Sequence, residues 1–208
     1  MLCLLVGNQA CGGDDDDDDH SDDHGGGPST AGCEVKSPCG GDIKGDWKVA
    51  NVCYDEAALS ASAKTICPDA TLKVTGVDAS GDISYKTDGM FTQGATSVKA
   101  TAEWTLGASC LRGATCELVQ SQVEMSSMGA GPTTCSSASG GGCLCKSELS
   151  DSSQAMGTYT VSDNTVMLKS GDQTETQAYC VKGSTLVLLP GTQEETEDLP
   201  ARVVLTRK

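Results

Sequence analysis

The stretch that decides the fold is "GTYTVSDNTVMLKSGDQTETQAYCVKGSTLVLLP", residues 157–190. Its side chains alternate apolar and polar with a period of two, the signature of half-buried strands rather than of a helix. "GTYTVSDNTVMLKS" turns back on itself about Ser162-Asp163-Asn164, and "QAYCVKGSTLVLLP" about Lys182-Gly183. Asn, Asp and Gly accept the left-handed backbone that tight hairpins require.

The same period extends outward in both directions. "DWKVANVCY" (46–54) sets Trp47, Val49 and Asn51 against Lys48 and Val52, and "TLKVTGV" (71–77) sets Leu72, Val74 and Gly76 on one face. "DISYKTDGMF" (82–91) reads as two short strands about Thr87-Asp88-Gly89, and "TSVKATAEWTL" (96–106) directs Val98, Ala100, Ala102, Trp104 and Leu106 inward. "RVVLTRK" closes the chain. Short strands joined by Gly, Asn and Asp turns predict an all-β antiparallel barrel or sandwich. One segment breaks the period: Cys116, Val119, Val123 and Met125 recur at helical spacing, so residues 114–127 are predicted to form one short inserted helix. "GAGPTTCSSASGGGCLC" (129–145) is rich in Gly and Ser and reads as a surface loop pinned by its cysteines.

Cysteine count sets the compartment. The chain holds 12 cysteines in 208 residues. Apart from Cys3 and Cys11, ten remain: Cys33, Cys39, Cys53, Cys67, Cys110, Cys116, Cys135, Cys143, Cys145 and Cys180. An even number this high, with few aromatics to build core volume, fits a disulfide framework formed in an oxidising compartment. No CxxC knuckle occurs and both histidines, His20 and His24, precede the strands, so no zinc site is expected. Cys53 and Cys67 flank the connection between the first two strands and are the first expected pair, a link stabilising by about 3 kcal/mol. Cys110 with Cys116 is the second.

The N-terminus is unlike the rest. "MLCLLVGNQAC" has a short apolar run, Leu2 to Val6, and no positive charge. It reads either as the remnant of a signal peptide, residues 1–11, or as a frayed apolar terminus, and the cysteine framework favours export. Cys11, following Ala10, resembles the processing site of bacterial lipoproteins, in which the cysteine is acylated. That resemblance implies a lipid anchor in a membrane, and a location at the outer membrane or cell surface. Eight aspartates in residues 1–24 account for half of the net charge of −15, leaving 21 acids against 14 bases, or −7, elsewhere. Self-repelling acids and glycines bury no apolar surface, so residues 12–32 are expected to be an extended, disordered tether. Unordered carboxylates with His20 and His24 would hold divalent cations only weakly. No basic patch exists to bind nucleic acid.

At "GDWKV", residues 45–49, a Gly-x-Trp opens the first strand of an all-β chain and is similar to the lipocalin signature. "TDGMFT", "GTYTVSDNTVML", "YCVKGSTLVLL" and the terminal "VVLTRK" look like the strand order of small bacterial lipocalin-like domains. The resemblance covers residues 42–207. It implies an up-and-down β-barrel over residues 33–208, with Gly45 and Trp47 at its closed end. It also implies a basic residue of the last strand, Arg202, Arg207 or Lys208, packed on Trp47. The mid-chain helix and the ten cysteines are additions to that pattern.

Function is bounded more than it is fixed. With both histidines outside the strands and the cysteines oxidised, no nucleophile–base pair is available. Glu194, Glu195, Glu197 and Asp198, before Pro200, read as a solvated loop, so no enzyme is expected and no cofactor. Two readings stay open for a monomeric envelope protein. One is a carrier whose barrel holds a small apolar ligand, lined by Trp47, Trp104, Phe91 and Tyr85. The other is a filled barrel that takes no ligand and acts as a structural or protein-interaction module, with the same aromatics as core.

Overall fold

The computed structural model describes residues 32–126, 130–190 and 201–208. Residues 1–11 with Cys11, the tether as far as residue 31, and the carboxylates between 191 and 200 lie outside the described residues.

Ten strands and three helices follow in order: β1 (Gly45–Tyr54), α1 (Glu56–Ile66), β2 (Thr71–Ser80), β3 (Asp82–Tyr85), β4 (Met90–Leu106), α2 (Ala108–Leu111), α3 (Cys116–Ser126), β5 (Ala130–Ser137), β6 (Cys143–Ser162), β7 (Thr165–Ser170), β8 (Gln173–Lys182), β9 (Thr185–Leu189) and β10 (Ala201–Arg207). The fold is thus predominantly antiparallel β-sheet, as the period-two pattern predicts. The two hairpins read first, β6–β7 and β8–β9, pair in register as Ser162↔Thr165 and Lys182↔Thr185.

All named strands belong to one sheet, ordered β2-β4-β3-β1-β10-β9-β8-β7-β6-β5, with an additional β4–β6 ladder. The long strands make that ladder possible. One edge of β4 pairs first with β3 at Phe91–Gln93 and then with β2 at Ser97–Thr105. Its other edge pairs with β6 from Met90↔Thr158 to Leu106↔Cys143. The path β4-β3-β1-β10-β9-β8-β7-β6 therefore returns to β4, through ladders of very unequal length. Beyond that path, β2 and β5 flank the outer halves of β4 and β6.

The main core lies on the inward face of this path. It includes Trp47, Val49 and Val52 of β1, Ile83 and Tyr85 of β3, Phe91 and Val98 of β4, and Tyr159, Val166, Leu168 and Tyr179 of β6 to β8. Leu186, Leu188, Val203 and Leu205 of β9 and β10 complete it. Val52 corrects the simple alternation expected of β1. A register shift between Val49 and Asn51 inserts an extra residue, which turns Val52 inward and lets Asn51 hydrogen-bond backbone through its own side chain.

Three outer features are absent from the sequence-based picture or differ from it. The β1–β2 connection contains helix α1 and the short α2 precedes α3, so the single inserted helix becomes three among the described residues. Asp55 caps α1 by accepting from the backbone N–H groups of Ala57 and Ala58, both at 3.1 Å. Glu56 and Lys64 sit at the ends favoured by the helix dipole. Leu59 and Ala63 then pack on Leu72 and Ala102. Helix α3 falls where helical spacing places it. Part of the Gly/Ser-rich stretch forms β5, which pairs with β6 at Thr133↔Ser147 through Ser137↔Cys143, so only its tip is a turn. The loop reading fails because Thr133, Thr134 and Cys135 pair with Ser147, Lys146 and Cys145 in a local hairpin, and the β-branched threonines favour a strand.

Among the described residues, five disulfides link the ten cysteines: Cys33–Cys53, Cys39–Cys180, Cys67–Cys110, Cys116–Cys143 and Cys135–Cys145. Both expected pairs, Cys53–Cys67 and Cys110–Cys116, are corrected. Helix α1 separates the positions after β1 and before β2, carrying Cys67 toward α2 and leaving Cys53 to the segment that precedes β1. Cys110 and Cys116 lie on two different helices and bond outward from them. Residues 33–41 are thereby fastened across β8 to β10, where Val35 packs with Val187, Leu189 and Val204. Disulfides of this number belong to an oxidising environment. Among the described residues, no helix is long and apolar enough to cross a membrane.

Candidate functional site

The inward face of the sheet is the place where a ligand would have to sit, and most of it is occupied. Trp47 and Phe91 are completely buried and Tyr85 is 1% exposed. Tyr85 meets Tyr159 edge-on, with ring centres 5.1 Å apart at 76°. Tyr159 in turn donates from its hydroxyl to the Lys86 carbonyl at 2.7 Å, and Tyr179 to the Gly41 carbonyl at 2.9 Å. Trp47 donates from Nε1 to the Ile43 carbonyl, also at 2.7 Å. Tyr159, Tyr179 and Trp47 are thus tied at their polar ends, whereas the buried Tyr85 hydroxyl has no hydrogen-bond partner in the protein.

The residues expected to line a ligand are therefore divided. Trp47, Tyr85 and Phe91 come together in the main core. Trp104 does not join them. It lies far along β4, where it packs with Leu72 and Ala102 on one side and with Cys116, Val119 and Cys143 on the other. The long reach of β4 carries it past the ring path to the layer formed by α1 and α3.

One space on this face is small. A cavity of about 20 Å³ lies among Val49, Ile83, Val98, Leu188 and Val203, with Ser80, Gln93, Thr96, Asp151 and Ser153 as its polar wall. Roughly 10–15 Å³ of such space holds one water molecule. A fatty acid or retinoid needs many times more.

The polar wall arises at a register shift in the β4–β6 ladder, between Gln93 and Thr96. The extra residues there turn Gln93, Thr96 and Ser153 toward one another. Gln93 Nε2 donates to Thr96 Oγ1 at 2.6 Å and to Ser153 Oγ at 2.7 Å, and Thr96 Oγ1 donates to the Ser153 carbonyl at 3.0 Å. Gly81 makes room for this arrangement. Its φ of +132° favours glycine, and a Cβ at that position would meet Thr96 Cα at 2.6 Å. Tyr54, packed against the main core, has its hydroxyl pKa pushed up to about 12 by burial first and by the Asp151 carboxylate second. Burial likewise raises the Tyr85 hydroxyl, helped by Glu175. Both phenols stay neutral over the physiological range, so neither is a base at neutral pH.

The Gly45–Trp47 motif meets the last strand. Trp47 and Arg207 are register partners of β1 and β10, and the Arg207 guanidinium carbon lies 4.5 Å from the Trp47 ring centre. Of the three basic residues expected to fill this role, Arg207 is the one that does. Its Nη1 and Nη2 donate to the carbonyls of Lys44 and Asp42 at 3.0 and 3.3 Å.

A larger groove, about 320 Å³, lies on the outer surface between the N-terminal segment and β8 to β10. Lys36, Asp55 and Arg202 give it charge, and Pro38, Leu189 and Pro190 give it apolar walls. The two cations help the helix-capping N–H bonds hold the Asp55 carboxyl below its ordinary range. Nothing in the sequence pattern signals this groove, whose walls come from segments far apart in the chain. Among the described residues, no three His, Cys, Asp or Glu side chains converge as a metal site.

No protein-family model, curated protein or solved structure matches this chain.

Proposed function

We propose that the chain is a non-catalytic module of the cell envelope: a lipocalin-like antiparallel barrel, filled by its own side chains, cross-linked by cystines and held to a membrane through acylated Cys11. The observation that carries the filled reading is the interior cavity of about 20 Å³, against aromatics that are buried and mutually packed. Trp47 under Arg207, preceded by Gly45, supports the barrel reading and the resemblance named above. Five disulfides support export. Such a body is rigid and acts through its surface, as a scaffold or partner-binding module, rather than by carrying cargo.

The test uses the exported protein's own fluorescence. Trp47 belongs to the main core, so an occupant of the interior would alter its emission. Titration with fatty acids, retinoids and haem is expected to leave the emission unchanged. Saturable quenching at micromolar ligand would overturn the filled reading in favour of a carrier of small apolar molecules. Separately, Cys11→Ser is expected to move the protein from the membrane fraction to the soluble one, and retention in the membrane would refute the anchor.

A further inference from the structure

We propose that the outward face shared by β4, β6 and β7 is an oxidant-accepting site, at which the thioether of Met156, with those of Met90 and Met167 on the same face, takes an oxygen atom from peroxides. The inference goes beyond the envelope role and does not depend on a filled interior. Met156 is 71% exposed, Met167 44% and Met90 40%. Methionine is ordinarily a core residue. Among the described residues, the buried clusters contain none.

Strand alternation puts the three on one face. Each adjoins a residue of the main core: Phe91 follows Met90, Ala155 precedes Met156 and Leu168 follows Met167. In the ladders Met90 stands opposite Thr158, Met156 opposite Thr92 and Met167 opposite Thr160. These short, uncharged neighbours do not cover the methionine side chains. Met156 is the most open because its part of β6 pairs with β4 alone. The β5 ladder ends at Leu149 and the β7 ladder starts at Thr158.

Oxygen transfer to a thioether requires access and little else. A lone pair on Sδ attacks one oxygen of hydrogen peroxide and the O–O bond breaks. The proton on the transferred oxygen passes to the departing hydroxide, which leaves as water. Sulfur gives two electrons to the peroxide and keeps the oxygen as a sulfoxide. The described cysteines do not compete as thiolates, since all ten are held in cystines. A sulfoxide is polar and would disrupt a core. On this face it stays in water, so the fold takes up oxidant without losing core contacts.

Hydrogen peroxide added to the native, disulfide-bonded protein tests this, with peptide mapping by mass spectrometry assigning each oxygen gained. Met156 is expected to oxidise before Met167 and Met90, at a rate within about tenfold of that of N-acetylmethionine amide. The denaturant midpoint should stay in place when all three carry oxygen. Met156→Leu should remove the fastest of the three phases and leave the midpoint unmoved. A Met156 rate further below that of the free amide, prior oxidation of Met90 or Met167, or a midpoint that falls as oxygen is taken up would overturn the proposal.

Discussion

Arg207 stands opposite Trp47 in the β1–β10 ladder with its guanidinium 4.5 Å from the ring centre, and its fork reaches the carbonyls of Lys44 and Asp42. One side chain thus clamps the last strand to the start of the first. Gly45 permits this approach. Its φ is +127°, and a Cβ there would stand 2.9 Å from Arg207 Nη1. Arg207→Ala is expected to lower unfolding stability by about 1–2 kcal/mol, through loss of an exposed cation–π contact and of two hydrogen bonds that solvent weakens. Gly45→Ala should cost about 1–3 kcal/mol through backbone strain. Because part of its cost is displacement of Arg207, the double variant should fall short of additivity. Guanidinium denaturation of the three variants measures this, and full additivity would refute the coupling.

The disulfides should rank by the loops they close. Cys39–Cys180 spans a sequence separation of 141 and Cys135–Cys145 one of 10. The chain-entropy model gives about 5 kcal/mol for the first and about 2.7 kcal/mol for the second. Replacing Cys39 and Cys180 together by Ser is therefore expected to destabilise by roughly 2 kcal/mol more than replacing Cys135 and Cys145. Denaturant midpoints of the two double variants check the order. Peptide mapping under non-reducing conditions should recover Cys33 joined to Cys53 and Cys67 to Cys110.

Alkaline pH should expose the buried phenols. The Tyr54 hydroxyl is raised from its ordinary value of 10.0 to about 12, while in the unfolded chain it ionises at that ordinary value. The folded state then holds the proton more tightly than the unfolded state. Stability is complete below pH 10 and is lost as pH climbs toward about 12. Tyr54→Phe should flatten this alkaline edge, read by denaturant unfolding at a series of pH values. An unchanged slope would show that Tyr54 titrates as an open phenol.

Asp55 gives the opposite sign. The N–H groups of Ala58 and Ala57, with Arg202 and Lys36, hold its carboxyl below the ordinary value of 3.8. Its share of stability is present above that value and is lost as pH falls through the lower, folded one. Asp55→Asn should keep the cap on α1 and remove this acid dependence, whereas Asp55→Ala should lower the melting temperature at neutral pH as well. Thermal unfolding followed by circular dichroism at neutral and acid pH separates the two.

The strands were legible because their alternation is local: the two hairpins of residues 157–190 carry turn chemistry and period together. The register shift at Val49–Asn51 was not, since a single extra residue is chosen by the partner β10 and leaves no mark on β1 alone. Helix α1 had a readable sign in Asp55-Glu56-Ala57-Ala58, an N-cap, an acid in the first turn and two strong helix formers, but the flanking cysteines suggested a tight link instead. Pairing of the cysteines was beyond reach. Cys39 meets Cys180 only because residues 39–41 run beside β8, with a parallel bridge at Gly40↔Cys180. Gly45 and Trp47 were readable from the motif. Gln93, Thr96 and Ser153 were not, because their meeting depends on register across the β4–β6 ladder.

The cystines at Cys33 and Cys39 have a mechanical consequence. Any tension transmitted from upstream of Cys33 arrives at a sulfur bridge to β1, and the next few residues are bolted to β8. Load is thus shared between two well-separated strands through covalent links, so the body would resist shear and peeling far better than hydrogen bonds alone allow. Pulled from a point upstream of Cys33 in a force spectrometer, the oxidised domain should hold until it unravels from its other end, and reducing agent should weaken the grip.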